Sequence, residues 1–360
     1  MNKFRSLSIC LIMFVAVLLL ASPVMAGDCV DLDGATGLCT VSGNANALAG
    51  GVNSRAVGPA TTAFGYNAQA NSGGASAFGN NSYANNLGTS AFGAGTNATA
   101  NNASAFGSRS DATAYSASAF GFGAQAASDN SIAIGGGDPS GSGAMNAATV
   151  GVNSNSAIAI GRESFVDQNA PNAIAIGRES YVGNGDEDGI AIGYQSQARD
   201  DSAIAMGRES FADGYRSVAI GHGSYAVGEN SVAIGANSYA GEDNTVSVGD
   251  VGSERRIVNV APGKHGTDAV NVDQLNKSAR ETRIYAARGI AAAIAMPSMT
   301  MPSAVGKMAV GAEVGAYDDQ TAVGLGFAYR MNQYMALNLG ASIPFGGGNA
   351  AFRGGVQIEW

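Results

Sequence analysis

The sequence predicts a mostly β protein: a parallel β-roll head, a short neck, a short coiled coil and a terminal group of four membrane-type strands. Three observations carry this. From Gly65 to Gly249 a glycine closes an Ala-Phe-Gly or Ile-Ala-Ile-Gly type of unit at a nearly fixed spacing. From Val272 to Met296 apolar and small residues recur at alternating steps of three and four. Over the final stretch, large apolar residues alternate with small or polar ones.

Composition sets the limits. Of 360 residues, 46% are apolar, too many for a polar disordered chain, and 52 are glycine. The net charge of −9 leaves no basic stripe of the kind nucleic-acid binding needs, so no nucleic-acid partner is expected.

Residues 1–26 read as a signal peptide. Lys3 and Arg5 form a positive n-region, Leu7 to Leu20 an apolar run, and Val24-Met25-Ala26 a small-residue cleavage site. The apolar run is short for a membrane span. In the next segment, 27–47, Cys29 and Cys39 stand close together in an exported chain, which predicts an intramolecular disulfide. A pair of metal ligands is the alternative, with His222 and His265 both far away in sequence.

The head is assigned to 48–249. The closing glycines fall at Gly65, Gly79, Gly93, Gly107, Gly121 and Gly135, fourteen apart, then at Gly161, Gly177 and Gly193, sixteen apart. They return to fourteen at Gly207, Gly221, Gly235 and Gly249. A fixed period over this length marks a solenoid. Strand side chains alternate, so stacking aligns Phe64, Phe78, Phe92, Phe106 and Phe120 with Ile134 and the isoleucines beyond it. A second column runs from Ser76 to Ser118 and continues as Ile132, Ile158 and their successors. One or two large residues per coil make a thin core, so a single chain is expected to expose a long apolar stripe and to self-associate.

The neck is placed at 250–267, where Pro262, glycine and charges break the period. A coiled-coil segment follows at 268–299, with Thr267 or Asp268 as the N-cap. Its heptad seam runs through Val272, Leu275, Ala279, Thr282, Ala286, Gly289, Ala293 and Met296, and Pro297 ends it. The seam shrinks from Val and Leu to Ala and Gly, as helices inside something narrow require. Residues 300–360 supply four strands of about ten residues with one apolar face, the pattern of outer-membrane barrels rather than of a soluble sheet. Four strands cannot close alone, and an open edge cannot sit in lipid. Three chains together give about twelve strands with room for three thin helices.

With these features in place, the chain resembles the YadA-like trimeric autotransporter adhesins over essentially its whole length. The segment 246–275, VSVGDVGSERRIVNVAPGKHGTDAVNVDQL, is similar to that family's neck. The resemblance implies a left-handed parallel β-roll and a homotrimer closing a 12-stranded barrel in the bacterial outer membrane, with the head on the cell surface. It also implies barrel-assembly machinery and membrane lipids as partners, with Trp360 as the C-terminal signal of the anchor. Attachment to extracellular-matrix or host-surface proteins is the implied function. Cohesion between cells, or shielding without a specific host ligand, is the alternative.

No catalytic constellation, metal site or cofactor is expected. The Gly-x-Gly strings are coil joins rather than phosphate loops. Gly-Arg-Glu-Ser recurs at 161–164, 177–180 and 207–210, read either as a ligand-binding ladder or as an inter-coil or intersubunit Arg–Glu ladder. The stretch 230–238, NSVAIGANS, is similar to family segments associated with collagen binding and offers Asn230, Ser231, Asn237 and Ser238 as contacts; as plain coil consensus it has Val232 and Ile234 buried. The loop 184–189, with Asp186, Glu187 and Asp188, and the stretch 136–148 break the period and are candidate binding surfaces.

Overall fold

The computed structural model describes residues 29–30, 39–42, 46–137 and 147–360. The signal-peptide reading, most of the Cys-pair segment and the centre of the 136–148 stretch lie outside the described residues. The chain divides into two units, Met1–Arg255 and Arg256–Trp360.

In the first unit every coil gives one short strand to each of two parallel sheets, of fifteen and fourteen strands. Pairing is strictly in register: Ser104-Ala105-Phe106 lies on Ser90-Ala91-Phe92 below and Ser118-Ala119-Phe120 above. The repeating glycine is what lets the coils stack. Gly177 has φ +131°, and a Cβ there would meet the Gly193 carbonyl carbon at 2.7 Å. Three residues after such a glycine stands a buried serine or threonine whose hydroxyl donates back to the glycine carbonyl. Ser180 does so to Gly177 at 3.0 Å and Ser210 to Gly207 at 2.9 Å. Buried hydroxyls are thereby satisfied within their own coil.

The interior is alanine. Ala63, Ala77, Ala91 and their successors from one sheet, and Ala56, Ala70, Ala84 and theirs from the other, are fully buried. The large residues of the first sheet, flanking each alanine, point outward. Val232 is half-buried and Ile234 is 45% exposed, so the expectation of a buried pair there is corrected: the two sheets approach so closely that only a methyl fits between them. Three of the buried strand positions are larger. Val150, Val166 and Val182 fill the coils that run longer than fourteen residues. The longer turn widens the coil, and two more carbons per valine fill the space.

The last coil is closed by Arg255. Within the stack the His222 carbonyl accepts the Asn237 amide of the next coil at 2.8 Å. The equivalent Ala236 carbonyl has no next coil and accepts from Arg255 Nη2 instead. Arg255 Nη1 also donates to Val248 O and Ser238 Oγ, both at 2.8 Å.

In the second unit the helix spans Val272–Ile294. Its N-cap is Asn271, with a capping box to Gln274, rather than Thr267 or Asp268. Asp268 caps a turn instead, accepting Lys264 N at 2.8 Å and His265 N at 3.1 Å, which holds its carboxyl below the usual range. Four antiparallel strands follow: Met308–Tyr317, Gln320–Arg330, Met335–Pro344 and Ala351–Ile358. The first and last are open edges.

Candidate functional surfaces

The first sheet of the head presents the apolar stripe. Phe64, Phe78, Phe92, Phe106 and Phe120 stack with ring centroids 4.8–5.6 Å apart. Downstream the column continues through Ile134, Met206, Ile220 and Ile234, all exposed.

The outer face of the second sheet was not foreseen. Its single outward position per coil is mostly polar upstream, as at Gln69, Asn97 and Gln125, with Tyr83 the exception. Downstream it reads Phe165, Tyr181, Gln197, Phe211, Tyr225 and Tyr239. Phe165 stacks on Tyr181 at 6.0 Å, and the Arg199 guanidinium lies 5.2 Å over Phe211. The signal was present as the residue preceding the interior alanine or valine of each second strand.

The Gly-Arg-Glu-Ser motif resolves into coil geometry. Gly161 makes the turn, Glu163 adopts the left-handed conformation at φ 61°, and Ser164 is buried. Arginine and glutamate pair within one coil, at 3.4 Å for Arg162–Glu163 and 2.9 Å for Arg208–Glu209, which corrects the inter-coil form of the ladder. Between coils the motif residues bond other partners: Arg178 Nη2 donates to Tyr194 Oη at 2.8 Å, and Gln195 Nε2 to Glu179 Oε2 at 2.5 Å.

The candidate contact residues separate by burial. Ser231 and Ser238 are interior, and Ser238 Oγ is committed to Ile234 O at 2.7 Å. Asp186 is 6% exposed, and its Oδ2 has no hydrogen-bond partner among the described residues. Burial, then the charges of Asp200 and Asp201, push its carboxyl up to about 6. These three side chains are therefore withdrawn from any surface, whereas Asn230, Asn237, Glu187 and Asp188 are exposed. The 184–189 loop does not leave the stack. Gly185 N reaches Gln168 O and Asp188 N reaches Pro171 O, each at 3.0 Å, so it is the wide turn of a sixteen-residue coil. Cys39 is partly exposed, and the side chain of Cys29 lies outside the described residues.

The helix has two faces. Ala287, Ala291, Ala292 and Ala295 pack on the sheet. Val272, Leu275, Ala279 and Gly289 are exposed on the other side, and a Cβ on Gly289 would meet nothing within 4 Å. The sheet is built to match. Its helix side is small: a Cβ on Gly315 would strike Ala291 O at 2.5 Å, and Ser342 Oγ donates to Ala292 O at 2.6 Å. Its outer side is large and bare, with Val310 75% and Phe352 80% exposed and Leu325 and Ile343 beside them. Apolar outside and small inside is the arrangement of a strand that spans lipid around a filled lumen. Among the described residues no helix is long and apolar enough to cross a membrane, which leaves strands unaddressed. No group of three or more metal-ligating side chains occurs among them.

A thin parallel solenoid followed along the chain by a sheet with a bare apolar outer face defines a β-solenoid protein with a membrane-type strand anchor. Comparison with known proteins gives its family. A coiled stalk of trimeric autotransporter adhesin matches residues 256–294, and a YadA-like membrane anchor domain matches 301–360. The YadA head domain repeat matches 56–82, 84–110, 112–137, 187–210 and 212–250. The chain belongs to the YadA-like trimeric autotransporter adhesins, a membership that implies a binding or structural protein with an outer-membrane anchor.

Among relatives, it is 31% identical to Neisseria adhesin A of Neisseria meningitidis over 90 residues, a quarter (25%) of either chain. It is 33% identical to the immunoglobulin-binding protein EibD of Escherichia coli over 87 residues, 24% of this chain and 16% of that one. It is 34% identical to adhesin YadA of Yersinia pseudotuberculosis over 73 residues, 20% of this chain and 17% of that one. The matches thus span a quarter or less of these relatives. The collagen-binding domain of Yersinia adhesin YadA aligns at 26% identity and TM-score 0.28, covering 62% of this chain and 84% of that one. The membrane anchor domain of YadA aligns at 26% identity and TM-score 0.24, covering 29% of this chain and 97% of that one.

Proposed function

We propose that three copies of this chain close a 12-stranded barrel in the bacterial outer membrane and display their heads on the cell surface as an adhesin for extracellular-matrix or host-surface proteins. One observation carries the reading: three separate surfaces of a single chain are left uncovered. The Phe and Ile columns of the head, the Val272–Leu275–Gly289 side of the helix and both edges of the four-strand sheet each need a further copy. In lipid an open edge is untenable, so the sheet imposes assembly. Placement there implies a cleaved signal peptide and the barrel-assembly machinery as a partner.

If the first sheet is spent on assembly, the second sheet remains for a ligand. Its aromatic column from Phe165 to Tyr239, with Asn230, Asn237, Glu187 and Asp188 at the coil corners, is then the adhesive surface. The neighbour named for collagen binding makes a matrix protein the first target to test.

The test uses cells displaying the full chain against immobilised collagens, fibronectin, laminin and bare plastic. Saturable binding to one matrix protein supports the adhesin. Cell clumping with no selective binding replaces it with the cohesion reading.

A further inference from the structure

The four spanning strands carry two charges in their middles, one acidic and one basic, and they stand on opposite edges of the sheet. Glu313 is on the first strand and Arg353 on the last. Both lie on the helix side. Glu313 pairs with Gly324 and accepts a hydrogen bond from Ser298 N at 3.2 Å. Arg353 pairs with Gly340, whose Cβ position faces Met296 Sδ at 3.1 Å. Among the described residues neither makes an ion pair.

The register says where a second copy would bring them. One rung of the sheet runs Gly311–Gly326–Gly340–Arg353. Along it, the contact point on the chain that descends against the sheet moves from Met299 at Gly311 to Met296 at Gly340. On the next rung it moves from Ser298 at Glu313 to Ala292 at Ser342. Each rung therefore climbs as it crosses the sheet; at a barrel tilt of ~36° and a strand spacing of ~4.8 Å the climb is ~3.5 Å per strand. Four strands climb about 14 Å, or about four strand residues at 3.3 Å. The shift is even, as it must be to keep the same face inward. Continuing the sheet into a second copy then sets Arg353 opposite a position four residues above Gly311, which is glycine. Glu313 of the partner subunit is its diagonal neighbour on the same face, within reach of a long side chain. A Cβ on Gly355, two residues along from Arg353, would meet nothing within 4 Å, so the guanidinium has room.

We propose that Arg353 and Glu313 of the partner subunit form an ion pair inside the barrel that seals each seam between copies and fixes its register. This rests on the trimeric-barrel reading and adds to it which copy's residue meets which, and at what stagger. Opposite charges on the two edges also discourage an edge from pairing with its own kind.

The test measures heat-resistant trimer from detergent-extracted full chain, comparing the unaltered protein with R353E, E313R and the double swap. Each single reversal is expected to lower the surviving trimer about tenfold, because it sets like charges together, and the double swap to restore it. A trimer indifferent to both single reversals, or a double swap no better than either, overturns the ion pair and leaves the trimer standing. A chain that never forms trimer overturns both. As a second measurement, E313C combined with R353C should be joined by a short thiol-reactive cross-linker, which spans a diagonal pair where a direct disulfide cannot, into a covalent trimer ladder, while neither single cysteine is. Absence of that ladder in assembled trimer overturns the stagger.

Discussion

Arg255 offers the sharpest test of how the head ends. Replacing it with alanine removes three donated hydrogen bonds, to Ala236 O, Val248 O and Ser238 Oγ. Hydrogen bonds from a charged donor contribute about 1.5–3 kcal/mol each when shielded from water. Arg255 is exposed, so its bonds fall well below that, at roughly 0.5–1 kcal/mol each. The sum is about 2 kcal/mol, which corresponds to a roughly thirtyfold change in the opening equilibrium of the last coil. The loss is local, because coils in a solenoid contact only their neighbours. Hydrogen exchange on the intact protein should therefore show the amides of Val232 and Tyr239, bonded to Thr245 O and Gly249 O, losing protection about thirtyfold. The amides of Ile174 and Tyr181 should not change. Arg255→Lys should recover part of the effect. Unaltered exchange at 232–250 in Arg255→Ala would refute the capping argument.

Asp186 predicts a pH signature. Its carboxyl sits at about 6, above the ordinary 3.8, so the folded state prefers the proton. The associated stability is complete below pH 3.8 and lost as pH rises through 6. Asp186→Asn should match the unaltered protein at pH 4 and exceed it at pH 7 by roughly 1–3 kcal/mol; a pH-independent difference in melting temperature would count against burial as the cause. Gly289→Leu puts a bulky side chain on the exposed helix face and should reduce surface display several-fold by cell-surface labelling, while unchanged display would remove that face from the barrel interior. If Cys29 and Cys39 are paired, alkylation of the exported protein should label neither until a reductant is added.

Much of this architecture was legible because repetition amplifies weak signals. One Ala-Phe-Gly means little, but its return at a fixed spacing from Gly65 to Gly249 dictates stacked coils in register. What periodicity does not report is which side of a strand faces inward. Columns of large residues, such as those through Val232 and Ile234, have the look of a core. The core is instead the alanine between them, Ala233 in that coil, since the distance between two sheets is a property of the whole coil. The same limit hid the serines. Ser231 and Ser238 look like polar surface groups until the turn places them inside. The helix cap falls at Asn271 instead of Asp268 because both are sound caps, and the bond from Asn271 Nδ2 to Val260 O decides between them. Arg255 was invisible as a cap, because nothing in a linear neighbourhood says which carbonyls the end of a stack leaves unmet.

The in-register stacking has a consequence for reach. Every fourteen-residue coil adds one strand spacing, about 4.8 Å, and leaves the cross-section unchanged. Fifteen strands in one sheet make a rod of about 67 Å from a very small set of residue types. Duplicating or deleting one fourteen-residue block lengthens or shortens that rod by one step without disturbing the end closed by Arg255. Head length is therefore counted rather than tuned, and a lineage can adjust it by copying a phrase of its own gene.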